Sequence, residues 1–348
     1  MPSLKEIKGR INSISSTLAI TSAMKMVAAA KLQKAQMAIQ NMLPYERRLH
    51  SMLLDLMGAM NISAAASEDG SVRGSGSAER GFDQSGDRLS LSNRHDLAGM
   101  NGAYSLMAQR EVRKVAIVAF ASNSSLCGAF NSNVIREATA VINEYRASGL
   151  RDSDIVVYSV GRKMAEAMRK LGFPSPSDFT KMSDSPSYEA ASALAQELLD
   201  GFVSGRFDKV ELVYNHYKST SSQPTTRQTY LPLSLADATA DLQAGKISDS
   251  TSEADTTTVA EPAEAPDLIV EPSKEALIST LLPKVVRLRI FTTLLDSAAA
   301  EHAARTVAMQ LATDNGNALL QELTLEYNKG RQQKITSEIL DLVGGSMQ

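Results

Sequence analysis

One cysteine and four histidines are the residues that a catalytic or metal site would most readily use. Cys127 could act as a nucleophile only beside a positioned histidine. The histidines lie at positions 50, 95, 216 and 302, and no two of them have the spacing of a metal-binding pair. We therefore predict no catalytic residues and no metal site. A single cysteine also excludes an intrachain disulfide.

The polar stretch 122–131 follows an apolar run at 115–121, where a nucleotide-binding domain would carry its phosphate loop. It reads Ser-Asn-Ser-Ser-Leu-Cys-Gly-Ala-Phe-Asn and contains neither GxGxxG nor GxxxxGK, so it lacks the glycines that let a phosphate approach the backbone. We therefore expect no bound cofactor. The stretch is more typical of a strand-to-helix turn, with Asn131 or Ser132 as the helix N-cap.

Two further polar residues have simple structural interpretations. Glu301 and Arg305 are four residues apart on a predicted helix, which is typical of an intrahelical ion pair. His302 falls on an apolar face of the same helix, which favours packing over metal binding. No substrate site follows from these residues.

Residues 112–235 alternate between strand and helix patterns. Apolar runs at 115–121, 155–160 and 210–214 predict buried strands, and 225–233 could form an antiparallel edge strand. This alternation predicts a central, Rossmann-like α/β domain with a mostly parallel sheet.

Residues 1–60 and 273–348 are predicted to form long helices, because apolar residues recur at the 3–4 spacing of a coiled coil. Pro44 should kink or end the first helix. At 1.5 Å per residue the helices would span about 85 and 100 Å, which is too long for the α/β domain to cover. They must therefore pair with each other as an antiparallel coiled coil. The predicted fold is α/β plus this coiled coil, a rod on a globular foot.

Two segments interrupt the pattern. Residues 61–111 are a polar insertion, and 236–272 are an acidic, low-complexity insertion with nine carboxylates and one lysine between positions 237 and 271. Such compositions favour solvated chain with few contacts. The sequence assigns neither insertion a role.

The overall composition narrows the class of protein. Hydrophobic residues make up 43% of the chain, which excludes wholesale disorder, and the net charge of -3 is not that of a protein that coats nucleic acid. The longest apolar run is far shorter than the roughly 18–20 residues of a membrane span, so we expect contact with a membrane only through partners.

Four strings of residues resemble the γ subunit family of F-type ATP synthases. They are ITSAMKMVAAAKL at 20–32, LCGAFN at 126–131, EHAARTVAM with ATDN within 301–315, and YNKGRQQKITSEI at 327–339. The match runs in order over most of the chain. Leu18, Ala19 and Ser22 depart from the family, which often has polar or basic residues there.

The resemblance implies the central rotor shaft of the synthase, which has no catalytic site of its own. Its rod would lie inside a ring of α and β subunits, and its foot would meet the ε subunit and the c ring. The location would be the cytoplasmic face of the bacterial inner membrane, with no nucleic acid bound.

The resemblance also implies two sets of contact residues. Arg331 and Gln332, with Met24 and Arg305 behind them, would face the β subunit. The far end of the rod would form an apolar bearing tip of Ile335, Ile339, Leu342 and Val343.

Two other functions remain open from the residues themselves. One is a nucleotide- or small-molecule-binding α/β domain on a helical arm, against which the missing glycine-rich loop argues. The other is a coiled-coil adaptor or nucleic-acid tether. Residues 1–60 contain eight lysines and arginines against three carboxylates, but the absence of interleaved aromatic residues argues against nucleic acid.

Overall fold

The computed structural model describes residues 3–59, 106–107, 110–233, 271 and 274–345. Two helices dominate it: α1, Leu4–Ala59, and the last helix, α6, Lys274–Gly345. Their 56 and 72 residues correspond to lengths of roughly 85 and 110 Å. Both helices continue through an internal proline, Pro44 in α1 and Pro283 in α6, so of the two effects predicted for Pro44 the helix end does not occur.

The two helices pair antiparallel, as predicted. Leu18 packs beside Gly316, and the hydroxyl oxygens of Thr21 and Thr313 lie 3.1 Å apart. Farther along α1, the carboxylate of Glu46 accepts a hydrogen bond from Thr292. Residues later in α1 therefore contact residues earlier in α6.

Small residues occupy part of the seam between the helices. Ala28 of α1 and Ala299, Ala300 and Ala303 of α6 are fully or almost fully buried. Ala29 and Ala30, the next two residues of α1, are exposed. One helix face is directed toward its partner, so three consecutive residues cannot all lie on it.

The foot is a four-stranded sheet in the order β2-β1-β3-β4. Strands β1 (Val115–Phe120), β2 (Ile155–Val160) and β3 (Lys209–Asn215) are parallel, and β4 (Thr225–Leu231) is an antiparallel edge strand. The helices between them are α2 (Phe130–Ala147), α3 (Arg162–Lys170), the short α4 (Thr180–Asp184) and α5 (Tyr188–Val203). A 3-10 turn, Asp152–Asp154, precedes β2. The mostly parallel sheet is confirmed.

The two faces of the sheet pack on different helices. Ala116, Val118 and Phe120 of β1 belong to the core cluster shared with α5 and α6. The alternate residues of β1 pack in a second cluster with α2 and α3. This alternation is the two-residue period of a strand that is buried on both faces. Helix α6 is therefore both a layer of the foot and half of the rod.

Two sequence expectations change at the edges of the foot. The N-cap of α2 is Ala129, whose side chain has no hydrogen-bonding atom. Asn131, one of the two predicted caps, instead lies in the first turn of α2 and accepts a hydrogen bond from the backbone N–H of Ser122. Leu106, inside the predicted insertion 61–111, is buried in the core, and its carbonyl accepts from Leu233 N. Most of 61–111 and of 236–272 lies outside the described residues.

No helix among the described residues is long and apolar enough to cross a lipid bilayer.

Candidate functional site

The residues predicted to contact a β subunit lie on the rod, beyond the foot. Arg331 and Gln332 are exposed on α6, one residue after Gly330, where α6 passes the start of α1 at Leu4. Among the described residues, neither side chain has a hydrogen-bond partner. A guanidinium in this position is able to bind a carboxylate through two parallel hydrogen bonds.

The four residues predicted to form the bearing tip are exposed in the structure. Between 48% and 75% of the surface of Ile335, Ile339, Leu342 and Val343 is accessible to solvent. Because α1 begins opposite Gly330, α6 continues past it without α1 alongside. Leu340 is also exposed, so these apolar side chains together cover one broad side of the helix. Contiguous exposed apolar surface of this kind is typical of a partner-binding site.

Met24 is half-buried on α1, one turn after Thr21, which meets α6 at Thr313. The sequence interpretation missed its apolar neighbours Ile20 and Val27, which are both more than half exposed. Their signal was their spacing: they are seven residues apart and off the seam, so they form a second apolar line along the outside of the rod.

Arg305 lies elsewhere, at the junction of rod and foot. Its Nη2 lies 2.8 Å from Glu301 Oε1, which confirms the expected ion pair, and it also donates to Ser124 Oγ at 2.7 Å. The Arg305 side chain is only 11% exposed. The structure therefore separates Arg305 from Arg331 and Gln332 and uses its guanidinium within the chain.

Burial controls the ionisation of the groups around Arg305. It raises the pKa of the Glu301 carboxyl, while the neighbouring Arg305 lowers it. Burial, Arg305 and Lys31 together lower the pKa of His302 to about 4, so its ring is neutral at physiological pH. His302 Nδ1 is buried without a hydrogen-bond partner in the structure, consistent with a packing role.

The turn at 122–131 is fixed against both the sheet and the rod. Arg162 donates to the carbonyl of Asn123, and the Asn123 amide donates to Thr180 O. A Cβ at Gly128 would lie 3.8 Å from that of Ala308 on α6. Leu126 has a φ of 67° and is exposed, so the turn presents an apolar side chain beside the rod.

This turn has the contacts of a structural element. Cys127 is buried, and its sulfur contacts Ser122 and Asn131 rather than a histidine. No group of three or more His, Cys, Asp or Glu residues suited to a metal occurs in the part of the chain that the structure describes.

Comparisons with known proteins agree with this geometry. The family model described as ATP synthase matches residues 3–347. The ATP synthase gamma chain of Phocaeicola vulgatus is 48% identical, and that of Bacteroides thetaiotaomicron 45%, each over 100% of both chains. A chain from the Euglena gracilis mitochondrial ATP synthase (OSCP/F1/c-ring) shares the fold with a TM-score of 0.54 at 20% identity, covering 99% of this chain and 93% of that one.

The family match and the full-length relatives cover the rod, the foot and both segments that the sequence marked as insertions. The rod of paired terminal helices and the foot with its mostly parallel sheet agree with this match. This chain belongs to the ATP synthase gamma-chain family.

Proposed function

We propose that this chain is the central rotor shaft of an F-type ATP synthase and couples rotation of a membrane c ring to ATP synthesis in β subunits. The observation that carries the proposal is the rod, in which α6 extends past the start of α1 and ends in an exposed apolar tip. A rod of this kind needs a surrounding partner to cover it.

The partners follow from the two ends of the molecule. The rod would lie within a ring of α and β subunits, and the foot would rest beside the ε subunit on the c ring. The chain would then work at the cytoplasmic face of the bacterial inner membrane and reach the membrane only through these partners. Proton transport would belong to the complex, and the chain itself would carry no catalytic site.

The mechanism requires an asymmetric shaft. A ligand or partner shifts a conformational equilibrium only through contacts that differ between the states. Here the exposed line of Ile20 and Val27 on α1 differs in chemistry from the polar residues Arg331 and Gln332 on α6. Rotation would present these surfaces to each β subunit in turn and bias its affinity for nucleotide.

The contact residues would divide into a latch and a bearing. Arg331 and Gln332 would bind a β-subunit carboxylate, and this contact would depend on angle because paired hydrogen bonds are directional. Met24 would meet the ring at a separate level of the rod, because its neighbour Thr21 packs on Thr313 whereas Leu4 packs on Gly330. Ile335, Ile339, Leu342 and Val343 would turn within the ring at little cost, because apolar contacts are non-directional. Arg305, which is paired with Glu301, would act by holding the foot to the rod.

The test is to co-express the tagged chain with α and β subunits and purify it. We expect a complex that hydrolyses ATP and in which a probe on the foot turns in one direction when ATP is added. Calorimetry of the chain alone with nucleotide is the control for the alternative binding domain. Recovery of the chain without α and β, together with micromolar nucleotide binding, would overturn the proposal in favour of that alternative.

A further inference from the structure

We propose that Asn215, His216 and Tyr217, which end β3 and follow it, form a joint through which the foot turns both helices of the rod; this rests on the proposed rotor function. A shaft can transmit rotation only if the foot cannot slip around the rod. These consecutive residues form hydrogen bonds from the foot to both α1 and α6 at the same height along the rod.

The joint is fixed first within the foot. Asn215 is buried, donates to the carbonyl of Phe130 at 3.1 Å and accepts from Thr225 Oγ1 at 2.7 Å. The backbone N–H of His216 donates to Pro224 O at 2.9 Å. The start of α2 and the segment entering β4 therefore hold the end of β3, so it moves with the foot.

Asp296 joins this segment to α6. Its Oδ1 accepts from the backbone N–H of Tyr217 at 2.9 Å, and its Oδ2 lies 2.6 Å from Nδ1 of His216. Because both carboxylate oxygens are used, the pair of contacts fixes orientation as well as distance. The Asp296 side chain is 17% exposed, so water competes weakly for it.

Tyr217 joins the same segment to α1. Its hydroxyl oxygen accepts a hydrogen bond from Gln36 Nε2 at 2.6 Å. Its ring packs against one apolar cluster that contains Leu32 and Ala299 and against another that contains Cys127 and Ala300. The tyrosine side chain thus lies where α1, α6 and the turn after β1 meet.

These contacts suit the transfer of torque. Apolar packing resists separation but permits sliding, whereas hydrogen bonds with fixed donors and acceptors resist sliding. A foot bonded to α6 alone would pull that helix around α1 and twist the pair. A foot bonded to both helices at one level turns them together.

The joint also contains a titratable group. The hydrogen bond to Asp296 raises the pKa of His216, while burial and the neighbouring Lys218 lower it. Asp296 on α6 and Lys218 in its own loop are the charged groups that act on the ring. Below this pKa the contact is a charge-assisted pair, and above it the contact weakens.

The experiment measures how freely the foot moves when the rod is held. In a complex of the chain with α and β subunits, β is fixed to a surface and a probe on the foot reports its angle during pauses in rotation. Asp296→Ala removes two of the three hydrogen bonds from the joint to the rod. We expect about a 1.5-fold larger angular variance, since the packing of Tyr217 remains.

Asp314→Ala is the control on the same helix, because the Asp314 carboxylate is exposed and accepts only from Gln310 of α6 itself. It should leave the variance unchanged. Asp296→Asn, which keeps an acceptor for Tyr217 N, should assemble even if the alanine variant does not and should give a smaller increase. In the unmodified complex the variance should rise as the pH increases above the ordinary histidine pKa of about 6.5, and His216→Gln should abolish that rise.

The joint would be overturned if the angular variance were equal in three variants that still rotate: Asp296→Ala, Asp296→Asn and Asp314→Ala. The proposed rotor function would not be affected by that result. An unchanged pH dependence in His216→Gln would overturn the role of the histidine. Failure of the unmodified complex to rotate with ATP would instead overturn the proposed function, and the joint with it.

Discussion

Replacing Gly316 by alanine tests whether the two helices of the rod are packed as closely as the structure indicates. A Cβ at this position would lie 2.6 Å from Cδ2 and 3.2 Å from Cγ of Leu18 on α1. Alanine should gain about 1 kcal/mol of helix propensity over glycine. Forcing a methyl group into a packed interface costs about 1–3 kcal/mol. The net effect on the free energy of unfolding therefore lies between no change and a loss of about 2 kcal/mol.

Gly9→Ala is the matched control. Gly9 is an exposed residue of α1, and a Cβ there would meet nothing within 4 Å. The control should gain the propensity of about 1 kcal/mol with no packing cost. We expect Gly316→Ala to be less stable than Gly9→Ala by about 1–3 kcal/mol, measured by urea unfolding of the full chain followed by far-ultraviolet circular dichroism.

A double variant assigns this difference to Leu18. In a Leu18→Ala background the obstructing atoms are gone, so Gly316→Ala should be stabilising, and the coupling energy of the cycle should be about 1–3 kcal/mol. If Gly316→Ala stabilises the chain as much as Gly9→Ala does, and the cycle shows no coupling, the helices are not in contact here. The close contact between Leu18 and Gly316 would then be wrong.

Three further predictions address coupling, pH and the acidic segment. Arg331→Leu should lower ATP synthesis and hydrolysis while the subunits still assemble. Met24→Lys should lower the number of protons pumped per ATP hydrolysed in reconstituted vesicles. Unchanged values in both variants would refute the latch. Because Asp296 raises the folded-state pKa of His216, this pair stabilises the chain fully below the unfolded pKa of about 6.5 and less as pH rises through the folded pKa. Urea unfolding across this range should show the loss, and His216→Gln should not. Deleting 240–265 should leave co-purification with α and β intact, and loss of assembly would identify the segment as an interface.

The rod could be predicted from the sequence because its information is local. Apolar residues at 3–4 spacing define each helix, and length alone requires the helices to pair with each other. The direction of pairing followed from the foot between them. The spacing did not predict how closely Leu18 packs on Gly316. Helix propensity identifies Gly316 only as a residue that destabilises the helix.

The joint could not be predicted, because its partners are distant in sequence. His216 and Asp296 are separated by 80 residues, and Gln36 and Tyr217 by 181. Each of these residues also has an ordinary interpretation as a solvated polar side chain, so residue type carries no signal. The same holds for Arg305, whose ion pair with Glu301 was visible at i,i+4 but whose bond to Ser124 was not.

The tip of the rod illustrates how a partner can supply what the chain lacks. Beyond Gly330, α6 continues for the fifteen residues 331–345 without α1 alongside. Isolated helices shorter than about 12–15 residues are marginal in water, because most helical stability in proteins comes from packing. The apolar residues of the tip are exposed, so nothing in the described chain provides that packing. A surrounding ring would provide it without fixing an angle, since apolar contacts do not select one. The exposed apolar surface that weakens the tip in isolation would thus let it turn within its partner. The directional contacts would then be those proposed for Arg331 and for the joint at the foot.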